Sequence, residues 1–227
     1  MLIERETFVK AILAGDQGKA LHTIKSLRKK HSRLELYMNV ITPAMYEVGR
    51  LWEENEISVA DEHLATGVCD FVLSQTEYDL VHTQQNDALP KAMFFSVQDE
   101  WHQLGIKMVS ILFKEKGWNV RYLNANLPLD HAINNAKVWK PEVVGMSLAL
   151  AHRLTDLPDY LEAFAKLPSK PKILIGGRIM SSYDFTEAVT PNTKVIKDLY
   201  QLDDWLEMTK RNRRDGFDAQ SNTSSIH

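Results

Sequence analysis

Lys91-Ala92-Met93-Phe94-Phe95-Ser96-Val97-Gln98-Asp99-Glu100-Trp101-His102-Gln103-Leu104-Gly105 is the stretch whose reading settles the fold class. Ala92 to Val97 form an apolar run that reads as a buried strand. Apolar residues at 106, 108, 109, 112 and 113 predict a helix over 103–116. His102 therefore falls on the turn between the carboxyl end of a strand and a helix. In open parallel sheets, that rim is where ligands bind. Glu100, two residues earlier, can hold one ring nitrogen and leave the other free to take a proton or ligate a metal. Gly105 lets the helix start approach something bulky. A surface loop with an incidental histidine would carry the same residues, so the rest of the chain decides between the two.

Downstream, strand and helix patterns alternate. Strand 118–123 follows Gly117, the expected C-cap. Then come helix 129–139, strand 143–148, helix 156–166, and strand 172–175 running into Gly176-Gly177. A helix near 182–189, a short strand 194–196 and a helix 199–210 complete the pattern. Five such alternations predict an α/β domain with a doubly wound parallel sheet.

Upstream, residues 4–82 contain no convincing strand. Phe8, Val9, Ile12 and Leu13 mark one amphipathic helix, and Ala20, Leu21, Ile24 and Leu27 a second. A third is expected over 34–56, with Leu51 and Trp52 facing inward and a kink or break at Pro43. Ser58 is the expected N-cap of a fourth, which Val59, Leu64, Val68, Phe71, Val72 and Tyr78 carry to about 81. Four helices with short connections predict a four-helix bundle. The expected organisation is a bundle over 1–83, a polar linker over 84–90, an α/β domain over 91–211 and a disordered tail over 212–227.

Composition narrows the function classes. The formal net charge of −3 over 227 residues argues against a broad nucleic-acid-binding surface. The single cysteine, Cys69, allows no intramolecular disulfide and points to a reducing compartment. The amino terminus lacks a signal-peptide apolar core, and no apolar run approaches the ~20 residues of a membrane span. A cytoplasmic protein with no membrane contact is expected. There is no G-x-G-x-x-G after the first strand, no G-K-[ST], no Ser or Cys nucleophile motif, and no His or Cys pair at zinc-ligand spacing.

Three strand ends carry features of one kind: His102 after the first, Gly145-Met146-Ser147 on the third, Gly176-Gly177 after the fourth. A parallel sheet puts all three on one rim. Adjacent glycines there remove side chains where something flat or bulky approaches, and Ser147 can hydrogen-bond to it. The bundle has its own cluster. Trp52 near the end of the third helix faces Glu62-His63 in the first turns of the fourth, so all three can point to one place. A core Trp, a carboxylate on the helix dipole and a structural His would account for the same residues.

These motifs resemble the cobalamin (vitamin B12)-binding proteins, and in particular the light-responsive cobalamin-dependent regulators. The family motif E/D-x-H-x-x-G is met by Glu100, His102 and Gly105. Gly117-Trp118-x-Val120-x-x-Leu123 is similar to those regulators. The S-x-L segment is met by Ser147, with Ala149 in the Leu place. The glycine pair is met by Gly176-Gly177, and the cap motif W-x9-E-H by Trp52, Glu62 and His63. The resemblance implies a four-helix bundle cap followed by a flavodoxin-like (Rossmann-type) five-stranded parallel sheet domain. It implies that His102 is the lower axial ligand of cobalt, with Glu100 tuning its basicity. The nucleotide tail would occupy a slot lined by Ser147, Gly176 and Gly177, and Trp52, Glu62 and His63 would cover the upper face, where a deoxyadenosyl group sits. Light would break the Co–C bond and let the cap shift.

Some light sensors of the family carry a His directly after the cap Trp; here that place is Glu53, so a state with two histidines on cobalt is not implied. The chain begins at the cap and shows no DNA-binding segment, so output is expected through a protein partner or a change of oligomer. The expected function is an adenosylcobalamin sensor rather than an enzyme. The alternatives are a corrinoid carrier of a methyltransferase system loaded with methylcobalamin, the same fold binding biliverdin, and an interaction module without a cofactor.

Overall fold

The computed structural model describes residues 2–78, 80, 88–181 and 192–223. The chain opens with α1 (Leu2–Leu13) and α2 (Gln17–Arg28), then a continuous helical run made of α3 (Arg33–Leu36), a π turn (Tyr37–Ile41) and α4 (Thr42–Glu53), and then α5 (Val59–Glu77). Local chemistry sets these ends. Ser58 accepts from the Asp61 amide while Asp61 accepts from the Ser58 amide, a capping box that starts α5. Ser32 and Glu35 form another, starting α3 one residue before the expected 34. The break expected at Pro43 takes the form of a change in helix type, with α4 beginning at Thr42 and Pro43 in its first turn. The backbone widens into the π turn just ahead of it, where the Thr42 amide reaches the Tyr37 carbonyl, which accommodates a residue with no amide hydrogen.

The second half is β1 (Lys91–Ser96), α6 (Leu104–Glu115), β2 (Asn119–Tyr122), α7 (Leu129–Trp139), β3 (Val143–Ser147), α8 (Leu157–Ala165), β4 (Lys172–Gly176), β5 (Thr193–Val195) and α9 (Leu199–Thr223). The five strands are all parallel in the order β2-β1-β3-β4-β5, the flavodoxin-like Rossmann arrangement whose chain reversal between β1 and β3 opens a ligand crevice. The fold is thus a helical cap followed by an α/β domain. The helix expected near 182–189 and most of the expected linker, 84–87, lie outside the described residues.

Alternation along the strands sends side chains to two cores. Met93, Phe95, Val144, Met146, Ile173 and Ile175 pack under α7 and α8. Ala92, Phe94, Val143 and Leu174 face α6 and α9, and that core continues without interruption into the bundle through Phe8, Ile24, Val40, Val72 and Leu73. The cap and the sheet are therefore joined by shared apolar burial.

The tail boundary expected at 212 falls inside α9, which stays helical to Thr223. Arg213 explains the continuation: its guanidinium lies 4.3 Å from the Trp118 ring and donates to Glu142 at 2.5 Å, pinning the helix across the amino ends of the strands. No helix among the described residues is long and apolar enough to cross a membrane.

Candidate functional site

The register aligns Ser96 with Ser147 and Ser147 with Gly176. Three neighbouring strands therefore end together, and the expected rim exists. Beyond β1 the chain makes a tight turn that its own polar groups hold. Asp99 takes a left-handed conformation (φ 60°) and donates its amide to Asn126 Oδ1 at 2.8 Å. The Glu100 amide donates to the Val97 carbonyl and the Glu100 carbonyl accepts from the Asn126 amide, each at 3.0 Å. The buried Ser96 hydroxyl donates to the His102 carbonyl at 3.2 Å.

Glu100 is fully buried and accepts four hydrogen bonds. Oε1 takes the His102 amide at 3.0 Å and ring Nδ1 at 2.6 Å. Oε2 takes the Ala149 and Leu150 amides at 2.7 and 3.2 Å. Burial alone would push this carboxyl up; the hydrogen bonds from the His102 ring, the His102 amide and the Ala149 amide outweigh it and hold the carboxyl at about 2. A carboxylate only accepts, so Nδ1 carries the proton and Nε2 is left with its lone pair. The ring is 62% exposed, so Nε2 is presented rather than packed away. Its bond to Glu100 raises its pKa above the ordinary 6.5 against the pull of burial; the charges of Glu100 and Glu62 add to the rise and Arg178 opposes it.

The glycines divide by role. A Cβ at Gly105 would meet nothing within 4 Å. Nothing in the chain itself requires a glycine there, and the open space lies beside the His102 turn. At Gly176 a Cβ would make only an ordinary contact, 3.6 Å from the Ile196 carbonyl oxygen. At Gly177 the need is internal: φ is 127° and a Cβ would lie 1.8 Å from the Leu148 carbonyl oxygen. Gly177 therefore has a packing role of its own, letting β3 and β4 lead into touching turns. Ser147 is buried at the end of β3.

In the cap, Trp52 is 47% exposed. The inward position expected for it is corrected: it sits on the last turn of α4, where the bundle core has ended. Glu62 accepts from Thr66 Oγ1 at 2.8 Å and lies 3.6 Å from His63 Nε2, whose ring is mostly exposed. Glu62 is brought within electrostatic reach of His102. No contact joins Trp52 or His63 to the His102 turn among the described residues. Sequence reasoning missed the Ala149 and Leu150 amides, Asn126 and Arg178. Only Asn126 left a signal: Asn124-Ala125-Asn126 is the kind of pair that adopts left-handed turns, and both asparagines do.

Among the described residues no cluster of three or more His, Cys, Asp or Glu stands ready to hold a free metal ion. A single presented imidazole beside an open, side-chain-free helix start suits a metal that arrives with its own equatorial donors in a flat macrocycle. The rim, the Glu100–His102 pair and the helical cap together define a corrinoid-binding protein. Two family models, each described as a B12 binding domain, match residues 4–76 and 90–192, more than half of the chain between them. The chain belongs to the B12-binding-domain proteins, and cobalamin is its ligand.

The chain is similar to the HTH-type transcriptional repressor CarH of Myxococcus xanthus, at 22% identity over 180 residues, 79% of this chain and 59% of the repressor. It therefore spans less than two thirds of that repressor's length. It is also similar to the HTH-type transcriptional repressor CarA of the same organism, 30% identical over 122 residues, 53% of this chain and 41% of that one. Dimethylamine corrinoid protein 1 of Methanosarcina mazei matches at 19% over 169 residues, 74% of this chain and 78% of its own. Among solved structures, the monomethylamine corrinoid protein of Methanosarcina barkeri shares the fold, with a TM-score of 0.71 at 15% identity over 88% of this chain and 96% of that one. The biliverdin alternative draws no support from these relatives.

Proposed function

We propose that the chain is an adenosylcobalamin-binding sensory protein of the cytoplasm that responds to light and signals through a protein partner or a change of oligomer. The observation that carries this reading is the Glu100–His102 pair, an exposed imidazole held by a buried carboxylate within electrostatic reach of Glu62 of the cap. When bound, adenosylcobalamin supplies a cobalt–carbon bond that visible light cleaves. His102 would hold the cobalt through Nε2. Glu100 keeps the proton on Nδ1 and fixes the plane of the ring. Ser147, Gly176 and Gly177 at the strand ends would take the nucleotide tail, and Trp52, Glu62 and His63 would cover the cofactor from the cap. Protein reconstituted with adenosylcobalamin in the dark should be red, change its absorption spectrum under green light, and change its oligomeric state or partner binding at the same time. Spectra and elution volumes that are the same before and after illumination would refute the sensor.

A second reading, a methyl-carrying corrinoid protein, is favoured by the fuller coverage of the dimethylamine corrinoid protein, 78% of its length against 59% of the repressor. It requires tight methylcobalamin binding and transfer to a methyltransferase, with no structural response to light.

Either reading requires His102 on cobalt. His102→Ala should abolish the imidazole-ligated absorption spectrum and weaken cobalamin binding by at least the ~10–100-fold typical of damage to a ligand's supporting shell. The urea midpoint should fall only by the loss of the ring's bond to Glu100, because the ring is exposed and Glu100 keeps three backbone donors. In the wild type, protonation of Nε2 competes with ligation, so ligation should fall away as pH drops through the raised pKa of His102. An unchanged spectrum in the alanine variant would remove this assignment.

A further inference from the structure

Several polar ties join the cap to the sheet domain, among them Arg33 with Glu115 at 3.3 Å and Asn39 with Tyr200 at 3.5 Å, and two further sets differ in character. Along α5 and α6 the ties are partly buried, with Lys107 and Lys114 only 9% and 12% exposed. Lys107 donates to Asp70 Oδ1 at 2.6 Å, to the Asp70 carbonyl at 3.2 Å and to Ser74 Oγ at 2.7 Å. Lys114 pairs with Glu77. These ties run from near the start of α6 to its end, so α5, with Glu62 in its first turn, is fixed relative to α6, which begins two residues after His102. Opening such a pair leaves a mostly buried lysine without its partner, which makes these ties harder to open than a fully exposed pair.

The end of α4 is held differently. Arg178, which follows Gly176-Gly177 at the rim, donates from Nη2 to Glu53 Oε1 at 3.2 Å. Its Nη1 lies 4.0 Å from where a Gly49 Cβ would stand, so the guanidinium lies along the last turn of α4, where the helix dipole favours a cation. The two side chains are 63% and 56% exposed, so water and salt compete with the pair. Trp52 is the residue immediately before Glu53.

We infer that Glu53–Arg178 is a releasable latch between cap and rim. When it opens, the last turn of α4 moves away from the rim with Trp52 while α5 stays seated on α6. Ligand then enters and leaves on the α4 side, and the cap does not lift as one body. The ligand's identity in this inference rests on the cobalamin reading above; the latch itself can be read without any ligand.

Hydrogen exchange of the cobalamin-free protein tests the latch. In Arg178→Gln, the amides of residues 50–57 should exchange about two- to fivefold faster at low salt, the range expected for losing one exposed pair. Amides of α5 and α6 should keep their wild-type rates. The charge swap Glu53→Arg with Arg178→Glu should restore protection, and high salt should bring the wild type to the rate of the single variant. Unchanged exchange at 50–57, or an equal rise across α5, overturns the latch. In the loaded protein, release of adenosylcobalamin should quicken by the same factor in Arg178→Gln; faster exchange with unaltered release overturns the proposed route. A wild type that takes up no cobalamin refutes the ligand reading instead, and the exchange result stands or falls by itself.

Discussion

Gly177→Ala is expected to lower the stability of the folded protein by about 2–6 kcal/mol. The residue has φ 127°, a region that costs a non-glycine residue about 1–3 kcal/mol. The added methyl would stand 1.8 Å from the Leu148 carbonyl oxygen. That atom is backbone and cannot rotate away, so the turns after β3 and β4 must separate, adding an overpacking cost of about 1–3 kcal/mol. The displaced turn includes Ala149 and Leu150, whose amides bind Glu100, so the damage reaches the carboxylate that holds His102. A lower urea midpoint with an unchanged slope would report the loss, and cobalamin titration its consequence for the site. Gly105→Ala should behave in the opposite way. Its methyl meets nothing and gains about 1 kcal/mol of helix propensity in the ligand-free protein, yet it intrudes on the space beside His102. If both variants lose the same stability, the division of roles between these glycines is wrong.

Glu100→Ala should be the most damaging change at the site, with a stability loss of about 3–5 kcal/mol, the range for breaking a buried charged network. The His102, Ala149 and Leu150 amides lose their acceptor together, and the imidazole loses the group that fixes its tautomer. Cobalamin binding should weaken at least as much as in His102→Ala. Glu100→Gln keeps one carbonyl oxygen and should fall between the two.

The pH dependence follows from the same pair. The Glu100 carboxyl is depressed from its ordinary 4.5 to about 2, so its contribution is complete above about 4.5 and is lost as pH falls toward 2. The His102 pKa is raised, so its contribution is complete below about 6.5 and is lost as pH rises through the raised value. The pair stabilises most between these limits. Urea midpoints of the cobalamin-free wild type should decline on both sides of that window, and Glu100→Gln should flatten the acid limb. An acid limb that survives the substitution would place its cause at other carboxylates.

Short-range chemistry was legible in the chain alone. Helix α7 spans 129–139 as the apolar spacing predicts, Ser58 caps α5, and the run at 91–97 becomes a strand. Those features depend on periodicity and on hydrogen bonds between residues a few positions apart, which a linear sequence displays directly. So does the Glu100–His102 pairing, because the partners are two residues apart. The extended α9 was not legible, since Arg213 is held by Trp118 and Glu142, side chains far away in the chain.

The sequence by itself determined that strand and helix alternate after a helical region, and that an imidazole with a carboxylate two residues before it stands at a strand's end. Only the tertiary structure decided that Glu100 also binds turns 49 and 50 residues away, that Gly177 is needed for packing against Leu148, that Trp52 faces outward, and that Arg178 reaches Glu53. Each of these depends on how elements distant in the sequence pack together. That is set by burial summed over the whole molecule, and no local pattern records it.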